Sequence, residues 1–452
     1  MEKVMLKRKI SHTIENFLKA NSGKILLVNG ARQVGKTFII RYIGTKLYKN
    51  FVEINMLTDC NGNRNFADVK TTDDFYMQLA LLGGERLGNA EDTLVFIDEI
   101  QAYPHLLTML KFLSQENKFT YIASGSLLGV SLSTTPSIPI GSIQVIQMYP
   151  LDMEEFLWAN NVNEEAIENL KISFLNKETV NEATHNHIMR LLKYYLISGG
   201  LPEAVNVFVE TKNIVRLRNV QTEIHKYYRL DASQYDTEHK LKIERVYDYI
   251  PSALEHTKKR IIAKNIENEG KKTFASYQDE FDYLISSGIA LEVKAVSNPK
   301  FPLLESAKKN LLKLYLNDVG ILSNILYGKN FNAILKDMAS INLGAMYESF
   351  VAQELSAHEF NLHYFDNKKV GEVDFLINDF NNLKVLPLEI KSGRDYYVHS
   401  ALNKFLNTPD YSVSRAIVFS NERNVFIKNG IEYYPIYNVM FLNNDAEEEI
   451  IP

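Results

Sequence analysis

The chain has 452 residues, enough for about three domains of ordinary size. Hydrophobic residues make up 46% and charged residues 23%, a globular composition that excludes a disordered chain. The formal charge of −5 excludes a uniformly cationic nucleic-acid binder, and the single Cys60 excludes both a disulfide framework and a cysteine-based zinc site. No apolar run reaches the roughly 18 residues that span a bilayer, and the N-terminus lacks the apolar core of a secretory signal. We therefore expect a cytoplasmic protein without membrane contact.

The first 155 residues alternate short apolar runs with segments of helical periodicity. Such runs, separated by amphipathic segments, predict a parallel sheet with helices on both faces. The predicted strands are residues 24–29, 51–55, 93–98, 119–123 and 143–148. We expect this α/β region to form the first domain, over residues 1–155.

The rest of the chain changes character twice. From residue 152 to about residue 316, Lys, Glu and Leu recur at helical spacing, which predicts a mostly helical region. From residue 344 a helical segment leads into further strand-like runs, which favours a second α/β region that stands on its own. These strand-like runs are residues 370–377, 383–391, 415–420 and 424–427. The predicted domains are therefore 1–155, 156–330 and 331–452.

The strand at residues 24–29 leads into a phosphate-binding loop that matches GxxxxGK[ST] and is followed by a helical segment. The two glycines allow a tight turn whose N–H groups point at phosphate oxygens, and the helix dipole adds to that field. Lys36 supplies a positive charge for the β- and γ-phosphates, and the Thr37 hydroxyl is a ligand for Mg²⁺. We predict an ATP or GTP site. Its loop residues are Gly30, Ala31, Arg32, Gln33, Val34, Gly35, Lys36 and Thr37.

Two further strands end in polar residues that complete such a site. The apolar run 93–97 ends in Asp98 and Glu99. An aspartate at this point holds the Mg²⁺ shell, and the adjacent glutamate polarises an attacking water. The next run ends at Ser124 and Ser126, either of which is a candidate sensor of the γ-phosphate or simply part of a Ser-Gly turn. An arginine finger cannot be assigned from spacing.

A second constellation lies near the C-terminus. Aligning the apolar faces of the strands at 370–377 and 383–391 brings Asp374, Glu389 and Lys391 together, and Glu348 on the preceding helical segment closes the group. This D…E-x-K arrangement resembles that of the PD-(D/E)xK nucleases. Their two carboxylates, here Asp374 and Glu389, hold Mg²⁺, and their lysine orients the nucleophile or offsets charge on the phosphodiester.

Most of the chain resembles one family. The segments GARQVGKT, FIDEIQAYPHLLTMLKFL, YIASGSLLGV, MYPLDMEEFL, YLISGGLPEAV, LKLYLNDVGIL, GAMYESFVAQEL, GEVDFLI and LPLEIKSG resemble bacterial and archaeal AAA-type ATPases that carry a C-terminal domain of unknown function. The resemblance implies a P-loop ATPase domain, a winged helix in the middle region and a nuclease-like, restriction-endonuclease-like α/β domain at the end. One departure is Gly141-Ser142, where relatives usually carry a Gly-Arg pair.

We expect a polyanion such as DNA to dock on the middle region. Residues 211–310 contain 18 basic and 14 acidic residues, whereas residues 331–452 contain 10 basic and 17 acidic ones. A helix, a turn, a second helix and a strand over residues 257–295 outline a winged helix, with a helical module packed between two domains as the alternative. Its candidate phosphate contacts are Lys258, Lys259, Arg260, Lys264, Lys271 and Lys272.

Two functions follow from this pattern. The first is an ATPase that couples Mg-ATP hydrolysis to a C-terminal module that cuts DNA. The second is a nucleotide-dependent switch whose nuclease-like domain is inactive and binds DNA or a protein. The four polar residues of the C-terminal constellation favour the first, and the acidic balance of that region favours the second. Oligomer formation or a protein partner is compatible with either.

Overall fold

The computed structural model describes residues 5–126, 141–235, 240–267, 273–338, 341–393, 396–411 and 413–444. The chain divides into two compact units. The N-terminal unit contains residues 7–149 and 286–289, and the C-terminal unit contains residues 1–6, 150–285 and 290–452. Across the described ranges, no helix combines the length and the apolar character needed to cross a membrane.

The N-terminal unit is built on a five-stranded parallel sheet in the order β2-β3-β4-β1-β5. The strands are β1 (Ile25–Asn29), β2 (Asn50–Asn55), β3 (Thr93–Asp98), β4 (Thr120–Gly125) and β5 (Ile143–Gln147). The helices are α1 (Ile10–Ala20), α2 (Lys36–Leu47), α3 (Met56–Asn61), α4 (Thr72–Gly83) and α5 (Pro104–Glu116).

The predicted parallel sheet of this region is confirmed, and each strand differs from its predicted bounds by at most two residues at an end. Strand β1 shows why the pattern was informative, because its four residues from Ile25 to Val28 are all buried. A continuous apolar run of this kind forms where both faces of a parallel strand are covered. Since parallel strands share one carboxyl edge, the polar residues that end β1, β2, β3 and β4 meet there.

The C-terminal unit begins with a helical region, in agreement with the helical periodicity of that stretch. Its helices are α6 (Met153–Ala159), α7 (Glu164–Leu175), α8 (Glu182–Ser198), α9 (Pro202–Thr211), α10 (Ile214–Tyr235), α11 (Lys240–Glu255), α12 (Ala263–Ile266) and α13 (Gln278–Ser286). Asn163 and Asn181 cap α7 and α8, each accepting a hydrogen bond from a backbone N–H of the first turn.

An eight-stranded mixed sheet completes this unit, in the order β12-β13-β11-β10-β9-β8-β6-β7. Its strands are β6 (Ala290–Val296), β7 (Ala307–Leu316), β8 (His363–Asn367), β9 (Gly371–Asp379), β10 (Lys384–Lys391), β11 (Ala416–Ser420), β12 (Phe426–Lys428) and β13 (Ile431–Pro435). The remaining helices are α14 (Val319–Tyr327), α15 (Asn332–Leu335), α16 (Leu343–Ala357) and α17 (Ser400–Leu406).

The interpretation of the C-terminal α/β region as standing on its own was wrong. Strands β6 and β7, which come from the middle region, pair with each other, and β6 extends the sheet beside β8. The alternating Leu312, Leu314 and Leu316 of β7 are buried, and burial of these apolar side chains stabilises β7 in the sheet. Neither β7 nor β8 was predicted, because their charged residues hide the apolar alternation.

The ISGG and NDVG segments of the sequence meet in a buried polar junction. Asp318 Oδ2 accepts hydrogen bonds from Gly200 N at 2.7 Å and Leu201 N at 3.2 Å, and its Oδ1 accepts from Ile321 N at 2.9 Å. A Cβ on Gly200 would lie 2.0 Å from Leu151 O, so only glycine fits there. Burial raises the pKa of Asp318 to about 6, against the effect of these N–H donors. The role of these two segments is therefore structural: they pack against each other inside the C-terminal unit.

The segment with the predicted winged helix contains the one-turn helix α12, a 3₁₀ turn at Phe274–Tyr277, helix α13 and strand β6. The winged helix stays a prediction. Two of its candidate phosphate contacts have carboxylate partners: Lys258 lies 2.7 Å from Asp366 Oδ2, and Lys259 lies 2.6 Å from Glu348 Oε1. Gly270, Lys271 and Lys272 lie outside the described residues.

Candidate nucleotide and carboxylate sites

The phosphate loop connects β1 to α2 in a conformation that needs glycine at both ends. Gly30 follows the last residue of β1, and a Cβ there would lie 2.3 Å from Met148 O. Gly35 has φ 99° and immediately precedes α2, whose first residue is Lys36. Between them Ala31 and Val34 are buried, whereas Arg32 is half-buried and Gln33 is exposed. The N-terminus of α2 therefore points into the loop.

The Lys36 ammonium group is folded back into this loop. Its Nζ donates to Gly30 O at 2.8 Å and to Ala31 O at 2.9 Å, and the residue is 5% exposed. A phosphate in the loop would offer the same ammonium group oxygens with full negative charge, which are stronger acceptors than carbonyls.

Asp98, the last residue of β3, is the meeting point of three strand ends. Its Oδ2 accepts from Thr37 Oγ1 at 3.0 Å and from Asn55 Nδ2 at 3.1 Å, and its Oδ1 accepts from the Ser124 hydroxyl. Asn55 was missed at the sequence level. A signal was present, since Asn55 ends the strand that pairs with β3, and Asn55 and Asp98 are register partners.

The oxygen atoms of Thr37 and Asp98 are suitable ligands for Mg²⁺. A threonine hydroxyl and a carboxylate are hard oxygen ligands of the kind Mg²⁺ prefers, and they lie 3.0 Å apart at the start of α2. Thr37 and Asp98 are therefore the residues that would hold the ion, as the sequence pattern predicts.

Glu99 contacts Asp98 through its backbone, since its N–H donates to Asp98 Oδ1 at 3.1 Å, and its side chain is bonded to Gln101. It adopts a left-handed conformation with φ 53°, and its Oε2 accepts a hydrogen bond from Gln101 Nε2 at 2.5 Å. Gln101 also reaches the Ser126 hydroxyl at 3.4 Å. The two predicted serines thus differ: Ser124 contacts Asp98 directly, whereas Ser126 is linked to Glu99 through Gln101, a residue that sequence reasoning did not single out.

Arg8 is a further residue that the sequence did not reveal. Its Nη1 donates to Val34 O at 3.0 Å and its Nη2 donates to Tyr149 O at 2.7 Å. The side chain is buried, so the guanidinium group bridges the phosphate loop to the segment after β5. A single basic residue near the N-terminus carries no periodic or motif signal, which explains why it was missed.

The C-terminal unit brings the four predicted residues of its constellation together on neighbouring elements. Between the register pairs Phe365↔Val373 and His363↔Leu376, Tyr364 alone faces both Asp374 and Phe375, so β9 has a β-bulge at this point. Asp374 Oδ2 accepts from Ile390 N at 2.8 Å. The strict alternation assumed from sequence was wrong here, since Val373 and Leu376 lie in the same core cluster.

Lysines neutralise the carboxylates of this constellation. Glu389 Oε1 lies 2.7 Å from Lys391 Nζ, and Glu348 Oε1 lies 2.6 Å from Lys259 Nζ. Tyr315 donates a hydrogen bond to Glu348 Oε2 at 3.1 Å. The buried Lys313, absent from the sequence prediction, lies 2.6 Å from Glu372 Oε1.

The carboxylates also act on one another. The pKa of Asp374 is raised well above its ordinary value. Burial is the main cause, and the negative charges of Glu389 and Glu348 add to it. Burial likewise raises the pKa of Glu389, against the effect of Lys391. Burial lowers the pKa of Lys313, but the surrounding carboxylates outweigh this effect and raise it above its ordinary value. The group is therefore one electrostatic cluster of mutually interacting charges, some buried and some half-buried.

One atom of this cluster has the character expected of a metal ligand. Glu389 Oε2 is buried and accepts no hydrogen bond from the part of the chain that the structure describes. In the same described ranges, no group of three or more His, Cys, Asp or Glu residues is placed to hold a metal. Asp374 and Glu389 would therefore hold Mg²⁺ as a pair, with water and substrate oxygens completing the shell, a common arrangement for this ion.

Comparison with protein families assigns three parts of the chain. Residues 22–157 match the AAA domain, and residues 189–331 and 343–439 match two domains of unknown function, DUF8612 and DUF4143. No curated protein matches the sequence.

Solved structures similar to this one include three proteins with low identity. A Walker-type ATPase of Pyrococcus abyssi has 12% identity and a TM-score of 0.45, over 74% of this chain and 97% of that chain. PCH-2 of C. elegans has 13% identity and a TM-score of 0.26, over 48% and 71%. The RuvB Holliday junction branch migration motor of Thermotoga maritima has 13% identity and a TM-score of 0.31, over 63% and 89%. The family model is therefore the basis for comparing residues 22–157 with the AAA domain.

Proposed function

We propose that this protein hydrolyses Mg-ATP in its N-terminal unit and uses the nucleotide state to control a C-terminal module that acts on DNA. The observation that carries the first part is the convergence of Thr37, Asn55 and Ser124 on the Asp98 carboxylate. This geometry supports an ion-binding edge directly beside a loop that accepts phosphate.

Each residue has a distinct role in this proposal. Lys36 exchanges its two loop carbonyls for β- and γ-phosphate oxygens, which shifts the loop as nucleotide enters. Thr37 and Asp98 hold Mg²⁺, which offsets charge on the phosphates when bound. Glu99, once released from Gln101, orients the attacking water, and Ser124 or Ser126 reports the presence of the γ-phosphate.

Calorimetry and a phosphate-release assay with three variants test the ATPase. Lys36→Ala should lower hydrolysis by orders of magnitude, and Glu99→Gln should keep binding while losing turnover. Lys46→Ala is the matched control, because Lys46 lies on the same helix with an exposed side chain paired to Glu15, and it should behave like the wild type. Absence of ATP and GTP binding in the presence of magnesium would contradict the proposal.

For the C-terminal module we propose metal-dependent cleavage of DNA by Glu348, Asp374, Glu389 and Lys391. The support is Glu389 Oε2, which is buried and accepts no hydrogen bond from the described residues, beside the Asp374 carboxylate whose pKa is raised. In this role Asp374 and Glu389 bind the ion, and Lys391, which is only partly buried, orients a water or contacts the phosphodiester.

The alternative is a nucleotide switch whose nuclease-like domain only binds DNA or a protein. It is supported by the lysine partners of Glu348 and Glu389, which leave little uncompensated negative charge to attract a cation. A Mg²⁺-dependent cleavage assay distinguishes the two functions. The nuclease is supported if the wild type cleaves DNA, Glu389→Ala and Lys391→Ala do not, and the control Glu422→Ala does. The switch is supported if the wild type does not cleave DNA, or if Glu389→Ala and Lys391→Ala cleave it as well as the wild type does.

A further inference from the structure

A cluster of aromatic rings lies on the same sheet as Glu389 and has no role in either proposed site. We call it the aromatic platform; it consists of Tyr396, Tyr397, Phe426 and Tyr433. Phe426 and Tyr433 are register partners on β12 and β13, and their rings stack with centroids 4.4 Å apart at 12°. The centroid of the Tyr397 ring lies 3.9 Å from that of the Tyr396 ring and 5.9 Å from that of the Tyr433 ring.

Tyr397 is the most exposed ring of the platform, and Phe426 is half-buried. Tyr397 is 52% exposed, whereas Tyr396 and Tyr433 beneath it are buried. Hydrogen bonds fix the supporting rings, since the hydroxyls of Tyr396 and Tyr397 are bonded to each other and the Tyr433 hydroxyl is 2.6 Å from His399 Nε2. An exposed ring with rigid support loses little entropy when another flat ring stacks on it.

Strand register places the platform relative to the carboxylate cluster. Glu389 is the partner of Val418, Val418 of Tyr433, and Tyr433 of Phe426. Partners on neighbouring strands carry their side chains on the same face, and neighbouring strands are about 4.8 Å apart. Tyr433 is therefore about 10 Å from Glu389 on one face of the sheet, a distance that a single strand spans within a few nucleotides.

Lys391 joins the two features. It is paired with Glu389, and its positive charge adds to burial in lowering the pKa of His399, which contacts the platform residue Tyr433. Lys428, exposed on β12 two residues after Phe426, supplies a second cation near the rings. The path from the carboxylates to the rings thus has a cation at each end.

We propose that the aromatic platform stacks an unpaired base of a single DNA strand whose backbone passes over Glu389 and Lys391. The proposal rests on the proposed DNA function and deepens it by naming an unpaired strand as the substrate class. Residues 331–452 carry 10 basic and 17 acidic residues, so phosphate contacts alone give weak affinity. Stacking on aromatic rings needs little net charge and is compatible with any base sequence.

Fluorescence of a single-stranded oligonucleotide that contains 2-aminopurine tests the platform, because stacking quenches this base. The full chain is titrated with EDTA present, so no cleavage is needed. The wild type should quench the probe, Tyr397→Ala should bind it about 5- to 100-fold more weakly, and Tyr397→Trp should restore binding. Tyr227→Ala is the matched control, since Tyr227 is 53% exposed on α10 and lies outside the platform.

The outcomes separate this proposal from the nuclease proposal. Quenching that persists in Glu389→Ala, with or without cleavage by the wild type, supports the platform. Equal affinity of the wild type and Tyr397→Ala overturns it, as does absence of quenching by the wild type or equal binding of a fully paired duplex. Loss of a protein partner in Tyr397→Ala with unchanged oligonucleotide affinity also overturns it and assigns the rings to a protein contact.

Discussion

The hydroxyl of Thr37 lies 3.0 Å from Oδ2 of Asp98, which joins the first turn of α2 to the last residue of β3. These residues are 61 positions apart in the chain. The contact places a hydroxyl and a carboxylate side by side at the end of the phosphate loop, and the first prediction follows from it.

Replacing Thr37 by Ala should weaken binding of Mg-ATP by about tenfold, because one oxygen ligand of the ion is lost. Binding of ATP in EDTA should change little, since the loop amides and Lys36 remain. Thr37→Ser keeps the hydroxyl and should bind like the wild type. Calorimetry with and without magnesium measures the difference; an equal loss under both conditions would show that Thr37 acts on the loop and not on the ion.

Replacing Arg8 by Ala should destabilise the N-terminal unit by about 2–4 kcal/mol. The reason is that the carbonyl oxygens of Val34 and Tyr149 each lose a hydrogen bond from a charged donor. ATP affinity should fall as well, since Val34 belongs to the phosphate loop. Urea unfolding and calorimetry measure the two effects. Arg41→Ala is the control: Arg41 is exposed and paired with Glu53, so its loss should cost less than about 1 kcal/mol.

Replacing Gly288 by Ala should reduce ATP affinity. Gly288 has φ 73°, and a Cβ there would lie 3.2 Å from Ala31 N, one of the loop amides. The added methyl group therefore displaces an N–H that faces phosphate, in addition to backbone strain of about 1–2 kcal/mol. Gly84→Ala separates the two causes, because Gly84 has φ 52° and no atom of the described residues lies within 4 Å of its added Cβ. If Gly288→Ala and Gly84→Ala lose the same affinity for ATP, backbone strain alone explains the loss and displacement of the Ala31 N–H does not.

Asp318 should make the stability of the C-terminal unit depend on pH in an unusual direction. Its pKa is raised to about 6 in the folded protein from 3.8, so between about pH 4 and pH 6 the folded state binds more protons than the unfolded state. This group therefore lowers stability as pH rises through that window, by about 3 kcal/mol in total, with no further change above it.

Asp318→Asn removes that titration. Its cost in unfolding free energy should be larger at pH 4.5 than at pH 7.5, because only the wild type gains stability from proton uptake at low pH. Urea unfolding of both proteins at the two pH values provides the measurement. A cost that is the same at both values, or larger at pH 7.5, would mean that Asp318 does not titrate in this window.

The buried Lys313 and the half-buried Glu372 should be strongly coupled. Lys313→Met alone leaves Glu372 and the nearby Asp374 without their cation and should cost about 3–5 kcal/mol. Combining it with Glu372→Gln should recover part of that loss. A double-mutant cycle in urea unfolding measures the coupling, and strictly additive costs would show that the two charges stabilise the fold independently.

How far the sequence predicts each site differs between the units. In the N-terminal unit, strand ends and a local motif located the loop, Asp98 and Ser124, because parallel strands bring their carboxyl ends to one edge. Asn55 and Gln101 were missed because a lone amide side chain at a strand end or turn resembles any other turn residue. In the C-terminal unit, the pattern located Asp374 and Glu389, but the bulge beside Phe375 was invisible in the alternation.

The sequence by itself determined the phosphate loop, the parallel sheet around it and the pairing of β9 with β10, since these depend on local periodicity and on glycines with required backbone angles. Only the tertiary structure decided which charges neutralise one another. Lys259, Lys313 and Arg8 lie 89, 59 and 26 residues from the partners Glu348, Glu372 and Val34. Such contacts arise from the packing of whole elements, which brings buried charges and polar groups within reach of compensating partners that no local spacing records.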